Sequence, residues 1–144
     1  MKNGNSKQIF DNKTMDTLTI QATGKSPLIH CTKNTRQINI EIKGISIHKN
    51  ILHYYDTLRA WLRIYKETIL NIHVNIIYNY YNTITSHCLY SLFHDLQFMQ
   101  KNGATIIINW HHDTDDECMQ DNGSDFKNIF KQLTINLLEN KQTT

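Results

Sequence analysis

The spacing of hydrophobic positions changes period several times along the chain, and each change marks an element. Leu18-Thr19-Ile20 alternates apolar with polar residues, which predicts a strand, and Gly24-Lys25-Ser26-Pro27 turns the chain after it. Leu28-Ile29-His30-Cys31 predicts a second short strand. Gln37-Ile38-Asn39-Ile40-Glu41-Ile42 has period two, with isoleucines on one face and polar residues on the other, and Gly44 is expected to end it. From Asn50 the period lengthens. Leu52, Tyr55, Leu58, Leu62 and Tyr65 recur every three or four residues, with Trp61 beside them, and predict a helix capped by Asn50. Ile72-His73-Val74-Asn75-Ile76-Ile77 returns to strand chemistry. Cys88, Leu89, Leu92, Phe93, Leu96 and Met99 share one face of a second helix, stopped at Asn102-Gly103. The run from Thr105 to Trp110 is the most apolar strand and is expected to be central in its sheet. Met119, Gly123, Phe126 and Phe130 form the stripe of a third helix, with Gly123 admitting a close approach to the sheet. Leu133 to Leu138 predicts a last strand.

Strands that alternate with helices imply crossover connections, and so an α/β fold. The expected architecture is a small mixed sheet, largely parallel with antiparallel N-terminal edge strands, packed by about three helices. Residues 1–14 are rich in Asn, Lys, Gln and Ser around the apolar pair Ile9-Phe10, and are expected to form a flexible N-terminal arm. No compositional break divides residues 15–140, which read as a single domain, and residues 141–144 read as a tail.

Composition narrows the function classes. The chain has 144 residues, 40% hydrophobic and 19% charged, which is an ordinary globular balance. A formal net charge of +2 is too small to nominate nucleic acid or an anionic membrane as partner. No apolar run reaches the roughly 18–20 residues needed to span a bilayer, and the polar start lacks the apolar stretch of a signal peptide. Cys31, Cys88 and Cys118 have no metal-site spacing and cannot all pair within one chain, so a reducing cytoplasmic setting is expected.

Three places carry candidate chemistry. His111-His112-Asp113-Thr114-Asp115-Asp116-Glu117-Cys118 offers imidazole, carboxylate and thiol ligands together. Adjacent histidines on a strand point to opposite faces, however, and a calcium-loop reading meets Cys118 where Gly is needed. A solvated loop whose carboxylates complement the dipole of the third helix accounts for it better. His87-Cys88 diverge by about 100° on a helix, and Cys88 falls on the apolar stripe, so it reads as a buried small hydrophobe. Neither catalytic residues nor a cofactor or metal are expected. The third place is Tyr80-Tyr81-Asn82-Thr83-Ile84-Thr85-Ser86, which joins a strand to the second helix. It sets hydroxyls at a helix N-terminus, where free N–H groups and the dipole favour an anion. Taken alone the residues read first as N-capping residues; the functional reading is a phosphorylation switch.

The motifs as a set resemble the SiaC family of regulatory phosphoproteins. Tyr81-Asn82-Thr83 entering a helix is followed by Ile107-Ile108-Asn109-Trp110-His111-His112-Asp113, then Asp115-Asp116-Glu117 and Met119, then Gly123-Ser124-Asp125-Phe126. Upstream, Gly44-Ile45-Ser46-Ile47-His48-Lys49-Asn50 stands where the family has a G-R-S-Y-P-E-N segment, and Tyr54-Tyr55 and Trp61-Leu62 fit the helix after it. The resemblance covers about residues 18–138. It implies a non-enzymatic α/β signalling adaptor, related in design to STAS-type antagonists of bacterial partner-switching systems. By the same resemblance a Ser/Thr kinase and a metal-dependent phosphatase would set its state, and the unmodified form would activate a diguanylate cyclase, as in the family's best understood arrangement. Carried over, the phosphoacceptor is Thr83, with Asn82, Thr85 and Ser86 as neighbours. Ile84 in place of Ser, His48-Lys49 in place of Pro-Glu, and His111-His112 in place of a Tyr pair bear on partner choice more than on fold. The rival functions are a constitutive interaction domain in which Thr83 only caps the helix, and a metal-dependent enzyme built on the His111–Cys118 loop.

Overall fold

The computed structural model describes residues 15–140; the expected arm and tail lie outside the described residues. The elements run β1 (Met15–Ile20), β2 (Leu28–Asn34), β3 (Gln37–Ser46), α1 (Ile51–Ile64), β4 (Asn71–Tyr81), α2 (Thr83–Lys101), β5 (Thr105–Asp113), α3 (Glu117–Ile129) and β6 (Thr134–Asn140). All six strands form one sheet in sequence order. The first two connections are short, so β1, β2 and β3 pair antiparallel; Thr35, at φ 59°, turns the tight hairpin between β2 and β3. Each later pair is parallel, because a helix lies between its strands. Every crossover steps one strand in the same direction, so connections of one hand stack all three helices on one face.

Burial follows that layering. Ile38, Ile40 and Ile42 of β3, Ile72, Val74 and Ile76 of β4, and Ile106, Ile108 and Trp110 of β5 are buried under the helices. The alternate residues Asn39, Glu41, His73, Asn75, Asn109 and His111 face outward and are half-buried or exposed. Ile51, Tyr55, Leu58 and Leu62 of α1, Leu89, Leu92, Phe93 and Leu96 of α2, and Met119 and Phe126 of α3 close the core from above. Each large side chain taken out of water contributes about 1.5–3 kcal/mol. Gly123 does what its position on the stripe implies: a Cβ there would stand 2.5 Å from Trp110 Cδ1 and 2.8 Å from Leu137 Cδ2. At that close approach the Trp110 indole N–H donates to the Met119 carbonyl at 2.9 Å.

Four expectations need correction. Leu52 is not on the buried stripe of α1; Ile51 is, because the helix starts one residue earlier in phase. Gly44 does not end β3, which continues to Ser46 through a register shift at Gly44/Ile45, with Gly44 at φ 124°. Asn50 occupies the N-cap position of α1 without a side-chain cap bond; its own N–H donates to His48 Nδ1 at 2.9 Å instead. The strand β5 is flanked on both sides, but it lies next to the edge strand β6 rather than in the middle of the sheet.

Candidate functional site

Parallel strands bring the N-termini of α1, α2 and α3 to the same end of the sheet, where β3, β4 and β5 finish. At α2, Asn82 leaves β4 in an extended conformation, φ −106° and ψ 179°. Its Oδ1 accepts the Thr85 N–H at 3.0 Å, and its carbonyl accepts the Ser86 N–H at 3.2 Å. Asn82 is therefore the N-cap, worth about 1 kcal/mol, and Thr83 is the first helical residue. The N–H groups of Thr83 and Ile84 are left without an intrahelical partner, as in any first turn.

The hydroxyls at this mouth differ sharply in access. Thr83 is exposed. Thr85 is fully buried, and its Oγ1 donates to the Ser46 carbonyl at 2.8 Å while lying 2.7 Å from Ser46 Oγ. Ser46 Oγ is 3.1 Å from the Tyr55 hydroxyl, which is 2.5 Å from that of Tyr78. Proton counting gives the chain one direction. Thr85 spends its proton on the carbonyl, so it accepts from Ser46, which accepts from Tyr55, which accepts from Tyr78. Burial drives both phenols well above the ordinary tyrosine range, so they remain neutral donors. Ser86 is half-buried, and burial pushes the Tyr81 phenol up to about 12. Tyr81 in turn stands edge-on to Trp110, centroids 6.1 Å apart.

The buried chain Thr85–Ser46–Tyr55–Tyr78 was absent from the sequence reading. Its one sequence signal is polar atoms at positions that the strand and helix periods assign to the core. Beside Thr83, Ile84 and Leu52 stand 50% and 57% exposed over a notch of about 190 Å³ between α1 and α2. Charge is divided between the helix mouths: Lys49 lies on the α1 side, and Asp113, Asp115, Asp116 and Glu117 on the α3 side.

The structure separates the residues of the His111–Cys118 segment. His111 lies on the outward sheet face, Nε2 3.0 Å from Asn75 Oδ1. His112 is not a loop residue: it lies within β5, one residue before its end, buried on the helix-covered face, with Nδ1 3.0 Å from the Asp113 carbonyl. Asp116 caps α3, its Oδ1 accepting the Met119 N–H at 3.0 Å, and Glu117 stands in the first turn, which is the dipole role expected of these carboxylates. Among the described residues no three His, Cys, Asp or Glu side chains converge as metal ligands. Cys88 is buried on its stripe, and burial pushes its thiol up to about 11. No helix among the described residues is long and apolar enough to cross a membrane.

Comparison with known proteins gives a consistent picture. The model of the SiaC family of regulatory phosphoproteins matches residues 20–140. No curated protein matches the chain. Among solved structures, apo-SiaC from Pseudomonas aeruginosa is 14% identical, with a TM-score of 0.69 over 86% of this chain and 98% of that one. A second SiaC structure from Pseudomonas aeruginosa is 13% identical, with a TM-score of 0.67 over 88% and 99%. A chain of the complex between the diguanylate cyclase SiaD and its activator SiaC, from the same organism, is 14% identical, with a TM-score of 0.68 over 87% and 99%. At these identities the likeness is one of fold.

Proposed function

This chain belongs to the SiaC family of regulatory phosphoproteins, and from that premise we propose that it is a non-enzymatic cytoplasmic adaptor whose partner is chosen by reversible phosphorylation of Thr83. The observation that supports this reading is the unequal access of the hydroxyls at the α2 mouth. Thr83 is open to a kinase, whereas Thr85 is buried and committed to Ser46. A phosphate on Thr83 adds about −1.5 to −2 charge in front of two free N–H groups and a helix dipole, which can hold it. The same dianion bars a partner that must pack against Ile84 and Leu52. A Ser/Thr kinase and a metal-dependent phosphatase would set the state. The regulated partner is a diguanylate cyclase, by analogy with the SiaD–SiaC complex.

Titration calorimetry of a candidate cyclase against four forms tests the reading. Parent and Thr83→Ala should bind alike, because a methyl removes the acceptor and adds no charge. Thr83→Asp should bind more weakly, with about half the phosphate charge, and the phosphorylated protein most weakly. Equal affinities across folded forms, or no phosphate transfer by intact mass, would leave Thr83 as an ordinary first-turn residue.

A further inference from the structure

The two ends of the molecule differ in charge. At the end away from the helix mouths, β4, β5 and β6 begin and the hairpin between β2 and β3 turns. Hydrogen bonds tie this end together: the Leu70 N–H donates to the Arg36 carbonyl at 2.9 Å, the Thr105 N–H to the Leu70 carbonyl at 2.8 Å, and Gln100 Nε2 to the Gln132 carbonyl at 2.6 Å. Each helix has a cation in its last turn here, Arg63 in α1, Lys101 in α2 and Lys127 in α3. The adjoining turns add Arg36, Lys66 and Lys131, and all six side chains are exposed. Among the described residues no ion pair engages any of them, and Glu67 is the one exposed acid at this end. Lys33 does not add to the surplus, because Asp16 is its cross-strand partner. The helix C-termini carry about half a negative charge each, so a surplus of about three positive charges remains.

The acids gather at the other end, Asp113, Asp115, Asp116 and Glu117 where β5 passes into α3, and Glu139 near the end of β6. A formal net charge of +2 therefore conceals a basic pole. Residues 1–14, outside the described residues, join the chain at that pole, since Met15 pairs with Asn34, and they carry Lys2, Lys7 and Lys13 against Asp11. The helix dipoles explain cations in the last turns, but not those in the turns beyond, nor the apolar side chains set among them. Leu70 is exposed next to Arg36, to which its backbone is bonded; Phe98 shares a hollow with Lys66, and Ile129 one with Lys101 and Lys131. A nucleic-acid backbone gives such side chains no hydrocarbon to enter, and aliphatic Leu70 and Ile129 offer a base no stacking partner. A lipid surface accepts both groups, headgroups taking the cations and the acyl boundary the apolar tips.

We propose that this pole docks on an anionic lipid surface, with Arg36, Lys66, Lys101 and Lys131 at the headgroups and Leu70, Phe98 and Ile129 at the acyl boundary. The inference goes beyond the Thr83 switch, because neither a phosphate nor a cyclase enters it. The two surfaces do not compete: α2 runs from Thr83 to Lys101, about 28 Å, so a chain docked by this pole keeps its helix mouths on the side away from the lipid.

The test is co-sedimentation of the full unphosphorylated chain with vesicles of phosphatidylcholine alone, or of phosphatidylcholine and phosphatidylglycerol in equal parts. The chain should sediment with the mixed vesicles only, and less as salt is raised. Each Lys or Arg near an anionic surface is worth about fivefold in affinity, so Arg36→Gln, Lys66→Gln and Lys131→Gln together should cost about a hundredfold. These three lie in turns, where no helix end depends on them, and circular dichroism checks the fold; should the triple variant unfold, Lys131→Gln alone should still cost about fivefold. Lys25→Gln, in the turn between β1 and β2 at the other end, should change nothing. Phe98→Ser should weaken vesicle binding and leave any binding to duplex DNA as it was. Equal sedimentation with both kinds of vesicle, none with either, or a Lys25→Gln loss as large as that of Lys131→Gln would overturn the proposal. So would tighter binding to duplex DNA than to the mixed vesicles, which would make nucleic acid the partner.

Discussion

Thr83 and Thr85 lie two residues apart in one helical turn, and replacing each by the nearly isosteric Val should separate their roles. Thr85→Val keeps the packing volume but deletes Oγ1, which donates to the Ser46 carbonyl at 2.8 Å and accepts from Ser46 Oγ at 2.7 Å. Ser46 could then turn its proton toward Tyr55 and Tyr55 toward Tyr78, but the last phenol in the chain would be left with a buried proton and no acceptor. Wherever the defect settles, one donor is orphaned, at a cost of about 1–3 kcal/mol, and the second lost bond adds about 0.5–1.5 kcal/mol. Burying a methyl in place of a hydroxyl returns about 1 kcal/mol. The net expectation is a loss of about 1–3 kcal/mol. Thr83→Val removes no buried bond, and as an exposed substitution it should stay within about 0.5 kcal/mol. Urea unfolding followed by far-ultraviolet circular dichroism measures both. A Thr85→Val midpoint equal to the parent, or a Thr83→Val loss as large as that of Thr85→Val, would refute the hydroxyl chain as drawn.

Two further outcomes are expected. Gly123→Ala should destabilise by up to about 2 kcal/mol in urea melts, because about 1–3 kcal/mol of overpacking against Trp110 and Leu137 is offset by the roughly 1 kcal/mol that Ala gains in helix propensity; a stabilised variant would mean that α3 does not dock where Gly123 puts it. Stability should fall as pH rises from about 9 through about 11, because buried Cys88, Cys31, Tyr55 and Tyr78 keep protons that the unfolded chain releases from about pH 8.5 upward. A higher urea midpoint at about pH 10 than at about pH 8 would contradict that sign.

The succession of strands and helices was legible because isoleucines alternate in β3 and β4 and the helical stripes keep their period. The misplaced details share a physical cause. Ile51 and Leu52 both complete the series through Tyr55 and Leu58, so hydropathy alone cannot choose the phase; the turn through His48 and Asn50 chooses it. Gly44 read as a stop because glycine weakens strands, yet pairing with β4 resumes beyond it, Ile45 opposite Tyr80 and Ser46 opposite Tyr81. His112 read as loop because it is polar and adjoins acids, but pairing with β6 carries β5 on to Asp113 and buries its imidazole. At the candidate site the mouth itself was legible from residue types. The choice among its hydroxyls was not, because it depends on contacts between Thr85 and Ser46, 39 positions apart in the chain.

Magnitudes also say how a switch at Thr83 would act. The mouth is pinned by the Asn82 cap on Thr85, the Asn82 carbonyl on Ser86, the Asn82 N–H on Ser46 and the two Thr85–Ser46 hydroxyl contacts. At about 0.5–1.5 kcal/mol each, these together outweigh the roughly 0.3–2 kcal/mol that a phosphate gains from the helix terminus. A phosphate therefore has too little leverage to remodel the turn that carries it, and the unmodified and phosphorylated mouths share one backbone. Its effect falls on the partner instead. Closing a protein surface over a dianion strips it of water at a cost of several kcal/mol, and an unpaired anion at an interface keeps that cost. In the proposed switch the buried hydroxyl chain would supply the rigidity, and a phosphate on exposed Thr83 the charge. A switch built this way would change affinity without changing shape, and it requires a threonine that the fold leaves unused, as Thr83 is and Thr85 is not.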